Sequence, residues 1–124
     1  MAEMAANIGV VPRTITAGAA AIARGLRTVL NASGTHDLAG ATVRGDFVSA
    51  VDMGIGEVAI AYPTAGGGLV PAVASVAVAV GDSAYSAANG RFTNVSTGAA
   101  YLGKWMLAAS GAGVLGEVEL ESVA

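Results

Sequence analysis

The sequence predicts an all-β protein: a compact β-sandwich or barrel built from two similar β units, with an extended N-terminal arm. Three observations carry this expectation. Short segments alternate large apolar residues with polar or small ones at period two. Glycine-rich turns separate those segments at short intervals. The second half of the chain repeats the pattern of the first. A length of 124 residues fits one domain. The expected layout is an arm over residues 1–16 and a single β domain over 17–124, with a pseudo-repeat of 20–62 and 76–121.

Each segment contributes in turn. Residues 1–16 include Gly9-Val10-Val11-Pro12 and little that packs as an independent element, so they read as an arm that folds onto something else. Residues 17–30 are alanine-rich and compete for helix, but Gly18 and Gly25 weaken that reading and Thr28-Val29-Leu30 prefers a strand. Along 57–62, alternation puts Val58, Ile60 and Tyr62 on one side. Gly66-Gly67-Gly68 is a link. Val76, Val78 and Val80 share a face at period two. Asn89-Gly90 tolerates positive φ and predicts a hairpin between 85–86 and 91–93. At the end, Glu117, Glu119 and Glu121 face water while Val118 and Leu120 face inward. The expected core is therefore Val58, Ile60, Val76, Val78, Val80, Leu102, Val118 and Leu120.

The repeat is read from three matches. Ile22-Ala23-Arg24-Gly25 parallels Val78-Ala79-Val80-Gly81. Residues 43–51 parallel 102–110, and 56–60 parallel 116–120. Two units of this size would bury each other's apolar faces, since neither holds enough core alone.

Composition narrows the function classes. The chain is 54% hydrophobic but only 12% charged, and a low-charge surface invites association. The net charge is -3, and the basic residues Arg13, Arg24, Arg27, Arg44, Arg91 and Lys104 form no cluster. Nucleic-acid binding through phosphates needs such a cluster. There is no cysteine, hence no disulfide framework or thiolate metal site. Residues 69–80 form the longest apolar run and include Pro71, well short of the roughly 20 residues a membrane span requires. No basic segment precedes an apolar core near Met1, so a soluble, unsecreted protein is expected.

Motifs with chemical meaning fail their context tests. Gly111-Ala112-Gly113-Val114-Leu115-Gly116 spells the dinucleotide fingerprint, but alternating residues follow it where a helix is required. The weaker match over 54–59 is cut off by Pro63. His36 beside Asp37 lacks a placed nucleophile, since Ser33 and Thr35 are near only in sequence. The carboxylates show no metal spacing. A cation shared between subunits stays open. Arg44-Gly45-Asp46 reads as a tight turn, and the sequons at Asn31 and Asn94 matter only in a secreted protein. Trp105, the sole tryptophan, suits core packing or an interface anchor. No catalytic set, cofactor or metal is expected, and the protein reads as a non-enzyme.

One further pattern is more specific. Val80-Gly81-Asp82-Ser83-Ala84-Tyr85, Asn89-Gly90-Arg91-Phe92-Thr93, residues 101–109 (Tyr-Leu-Gly-Lys-Trp-Met-Leu-Ala-Ala) and Gly116-Glu117-Val118-Glu119-Leu120 follow one order. This order resembles the capsid cement, or head decoration, proteins of tailed bacteriophages. The match extends loosely to 20–61 through the repeat. The first half departs from it by a longer loop at 32–41 and by the arm. The resemblance implies a structural virion protein made in the host cytoplasm. It would bind the outer face of the capsid as a homotrimer and cement neighbouring major capsid subunits against internal pressure. Partners would be the major capsid protein and itself, without nucleic acid or membrane. Expected contact residues are Ile8, Val10, Val11 and Pro12 of the arm, with Trp105. The competing class is a β-rich receptor- or carbohydrate-binding module of a phage fibre or adhesin, which clustered exposed aromatics would favour.

Overall fold

The computed structural model of the protein describes residues 12–122. Its strands fall into two sets of five. The first set is β1 (Arg13–Thr16), β2 (Arg27–Leu30), β3 (His36–Leu38), β4 (Phe47–Ser49) and β5 (Val58–Pro63). The second is β6 (Gly68–Val73), β7 (Ser83–Ser86), β8 (Phe92–Thr93), β9 (Tyr101–Leu107) and β10 (Leu115–Leu120). Each set forms an antiparallel sheet in the same spatial order, β1-β5-β4-β2-β3 and β6-β10-β9-β7-β8. A parallel bridge then joins the two edges of each sheet, Ala17 to His36 in the first and Ala74 to Phe92 in the second. Each sheet thus rolls into a small, partly closed barrel that covers its own edges. The protein is all-β, as its alternation and turns predict. Among the described residues, no helix is long and apolar enough to cross a membrane.

The hydrogen bonds give the register of the repeat. Ile22 bridges Met53 as Val78 bridges Ala109. Gly25 donates to the Ser49 carbonyl as Gly81 donates to that of Trp105, so the first sequence match is correct. The other two are displaced by three residues. Gly56 donates to Ala17 as Gly113, not Gly116, donates to Ala74. Ser49 corresponds to Trp105, not to Ala108. In a chain of Ala, Gly and Val, such an alignment slides at little cost in apparent similarity.

Two expectations about the body change. Residues 13–16 belong to the sheet as β1, with Arg13 opposite Ala61 and Thr16 opposite Val58, so they are not arm. On β5 the predicted faces are exchanged: Val58 is 64% exposed and Ile60 49%, while Ala61 is fully buried. The interior of the first barrel is filled by Ile15, Ile22, Leu26 and Met53, with Phe47 and Leu38 alongside. What remains opposite β5 fits only Ala59 and Ala61, and the pleat sends Val58 and Ile60 outward. Val76 and Val80 are also exposed, because 76–80 is not a strand and only Val78 makes a bridge.

The second barrel follows the expected pattern more closely. Val78, Leu102, Val118 and Leu120 are buried with Val70, Phe92 and Trp105. Trp105 fills the centre. Its ring meets Phe92 edge-on at 6.1 Å, and Nε1 donates to the Thr93 carbonyl at 3.3 Å. Glycine at 116 makes room for that indole, since a Cβ there would lie 2.9 Å from Trp105 Cζ3. The predicted hairpin is present as β7 and β8, with Tyr85 opposite Thr93, and Asn89 turns the chain at φ 58°.

A buried arginine joins the barrels. Arg27 at the start of β2 is fully buried. Among the described residues its acceptors are all main-chain carbonyls. Nη1 donates to Val43 at 2.5 Å and Nη2 to Ala87 at 2.5 Å, while Nε and Nη2 share Arg91 at 3.1 and 2.9 Å. Longer bonds reach Gly40 and Arg44. The guanidinium lies over the Phe92 ring, 5.6 Å from its centroid. Burial pulls its pKa down to about 10, so it stays charged at neutral pH. The same seam holds Gly90, whose N–H donates to Ala39, and Arg44, which donates to Thr64, Tyr101 and Glu121 carbonyls.

Candidate interaction surface

The first barrel has an unusual outer surface. Val58 and Ile60 project from the outer face of β5, with Thr16 and Thr14 of β1 opposite them. Beyond Ile60 on the same face, Tyr62 packs against the core of the second barrel. The apolar strip therefore runs out of the inter-barrel seam into solvent. Ala50 donates to the Ile60 carbonyl, and the next residue, Val51, is 44% exposed. The turn before β5 presents Ile55 at 68% exposure. Single exposed apolar residues are ordinary, but two on one strand face, with two more exposed on the segments next to that strand, mark a contact surface.

The equivalent face of the second barrel is chemically different. Leu107 and Leu115 occupy the places of Val51 and Val58 and are also exposed. Glu117 takes the place of Ile60, and Glu119 and Lys104 sit across from each other beyond it. Farther along, Tyr85 and Tyr101 meet edge-on at 5.6 Å. Burial, with Glu121 and Tyr85 nearby, pushes the Tyr101 phenol up. One repeat thus carries an apolar strip and the other an amphipathic, acidic one.

The expected contact residues divide. Pro12 is exposed at the entry to β1, whereas Ile8, Val10 and Val11 lie outside the described residues. Trp105 has no exposed surface and is removed from the interface by its place in the barrel core. Val51, Ile55, Val58 and Ile60 were missed. The repeat held a signal for two of them: in the true register Val51 and Val58 correspond to Leu107 and Leu115, which are also exposed.

The chemical motifs serve the fold. The fingerprint at 111–116 lies in the turn entering β10, which is a strand. His36 is buried with Nδ1 3.2 Å from the Thr28 hydroxyl, and Asp37 points away to the Ala19 N–H and the Asn31 amide. Arg44 and Asp46 of the adhesion-like tripeptide are both used internally, Arg44 across the seam and Asp46 on the Leu30 N–H. Asp82 accepts from Ala79 N–H and Asn94, which lowers its pKa. Among the described residues, no group of three His, Cys, Asp or Glu could hold a metal ion.

No protein-family model and no curated protein matches the sequence. Among solved structures, the chain is similar to the head fiber gp8.5 N base of bacteriophage phi29. The TM-score is 0.67 at 18% identity, over 90% of this chain and 94% of that one. The two share a fold. The overlap takes in nearly the whole of both chains, so both barrels are included.

Proposed function

We propose that the protein is a structural component of a phage virion that binds the outer face of the capsid and cements neighbouring major capsid subunits. The observation that carries this reading is the fold shared, across both barrels, with a base described as part of a phage head fiber. The exposed strip of Val51, Ile55, Val58 and Ile60 supplies a contact that a lone soluble domain would not need. Residues 1–12, with Ile8, Val10 and Val11, supply a second as an arm onto a neighbouring subunit. The protein acts as a homotrimer and without catalysis, its retention coming from modest contacts repeated over a lattice. The competing reading, a fibre-borne receptor module, draws on the neighbour's description as a fiber base.

The test is sedimentation of purified protein with heads of its own phage assembled without it. The double variant Val58→Asp/Ile60→Asp should bind at least roughly tenfold more weakly, as expected for removal of an interface anchor. Its unfolding midpoint should barely move, because exposed substitutions stay within about 0.5 kcal/mol. Deleting residues 1–12 should also weaken retention while the barrels stay folded. Failure of the intact protein to bind heads, together with binding to host-cell surfaces, would move the fibre-module reading ahead.

A further inference from the structure

We propose that acid opens the first barrel at the seam between residues 17–18 and His36 while the second barrel stays closed. The inference comes from comparing the two closure points. In both barrels one parallel bridge joins the edges: Ala17 with His36, and Ala74 with Phe92. In both, the next residue donates across the seam, Gly18 to the His36 carbonyl and Ser75 to that of Phe92, each at 2.8 Å. The backbone device is the same. The side chain at its centre is apolar in one barrel and an imidazole in the other.

The imidazole is enclosed. His36 is 5% exposed, lies edge-on to Phe47 at 5.4 Å, and keeps Nδ1 on the Thr28 hydroxyl. From β2 it meets that hydroxyl, and from β4 the Phe47 ring. The 17–18 segment meets the main chain of His36. The charged groups near it are Asp46, before β4, and Asp37 on its own strand. Both favour the protonated ring, but burial outweighs them and holds its pKa below the usual imidazole range. Both carboxylates are already committed, Asp46 to the Leu30 N–H and Asp37 to the Ala19 N–H and Asn31. Neither is free to turn toward a new cation.

The sign follows from these positions. Above the ordinary imidazole pKa the ring is neutral whether the seam is open or closed, and pH has no effect through it. Below that value the exposed ring takes up a proton that the closed seam resists, so falling pH favours opening. The seam is also tight. A Cβ at Gly18 would lie 2.7 Å from Asp37 Oδ1, 2.8 Å from Thr35 Oγ1 and 3.1 Å from the His36 carbonyl oxygen, so the two edges are closely apposed there. At the second seam Phe92 has no proton to take up. Opening the first seam would loosen the edge of β1, the strand that carries the N-terminal segment.

The test is hydrogen exchange on the full chain between about pH 7.5 and about pH 5, a range that spans imidazole titration while carboxylates stay mostly ionised. After correction for intrinsic rates, protection over 13–19 and 35–39 should fall by up to about tenfold per pH unit, the limit for one-proton linkage. Protection over 70–75 and 91–93, and the fluorescence of Trp105 in the second barrel, should hold. His36→Phe, which copies the second barrel, should abolish the effect. His36→Gln should do so as well and keeps a polar partner for Thr28. Because His36 is the only histidine, its NMR titration is read directly, and its native midpoint should lie below the ordinary imidazole range, with protection starting to fall above that midpoint. Unchanged protection at acid pH, loss of both seams together, or acid opening retained in folded His36→Phe or His36→Gln protein would each overturn the proposal.

Discussion

Arg27→Met should cost about 3–5 kcal/mol, the range for breaking a buried charged network. The substitution keeps much of the apolar stem and removes the donors. Carbonyls of Gly40, Val43, Arg44, Ala87 and Arg91 would lose their shared partner. Each buried acceptor left unpaired costs roughly 1–3 kcal/mol, though some would find water as the loops relax. Arg27→Lys should recover only part of the loss, because one ammonium cannot reach carbonyls on both sides of the planar fork. Urea unfolding followed by circular dichroism measures the total, and Trp105 fluorescence follows the second barrel alone. Because Arg27 holds the 40–44 and 87–91 segments together, a biphasic transition would show that the barrels have become independent. A loss below about 1 kcal/mol, as for an ordinary surface change, would contradict the clamp.

That arginine also shows where sequence reasoning stops. Strands and turns are encoded locally, so alternation located β10 and Asn89-Gly90 located the β7–β8 hairpin. The repeat was visible because glycines recur wherever the same backbone turn is needed; Gly25 and Gly81 both hold positive φ, at 87° and 94°. The fate of Arg27 depends on carbonyls up to 64 residues away, and nothing beside it in the chain signals them. The face of β5 was misread for a related reason. Alternation separates two faces but does not say which is inside. Between valine and alanine, the usual assumption puts valine in. Here the interior was already full of Ile15, Ile22 and Met53 from other segments, so the alanines went in. The candidate surface is the direct product of that inversion. An apolar strip on the outside looks, in sequence, like a core strand.

The sharpest comparison is therefore between two valines that the sequence treats alike. Val118→Asp should destabilise the protein by several kcal/mol, and Val58→Asp hardly at all. Val118 is fully buried on β10, opposite Val70 on one side and Trp105 on the other. A carboxylate there would lose its hydration without gaining a donor, because the neighbouring backbone groups are committed to the ladder. The group would protonate or force the barrel open, and either route removes a large part of the stability available to a domain of this size. Glu119→Gln, one residue along and facing water, should stay within about 0.5 kcal/mol and serves as the control for strand position. Val58, 64% exposed, has solvent to hydrate the new carboxylate. Unfolding midpoints for the three variants decide the matter. A Val58→Asp protein as damaged as Val118→Asp would mean that β5 turns its valines inward, and the proposed contact strip would go with it.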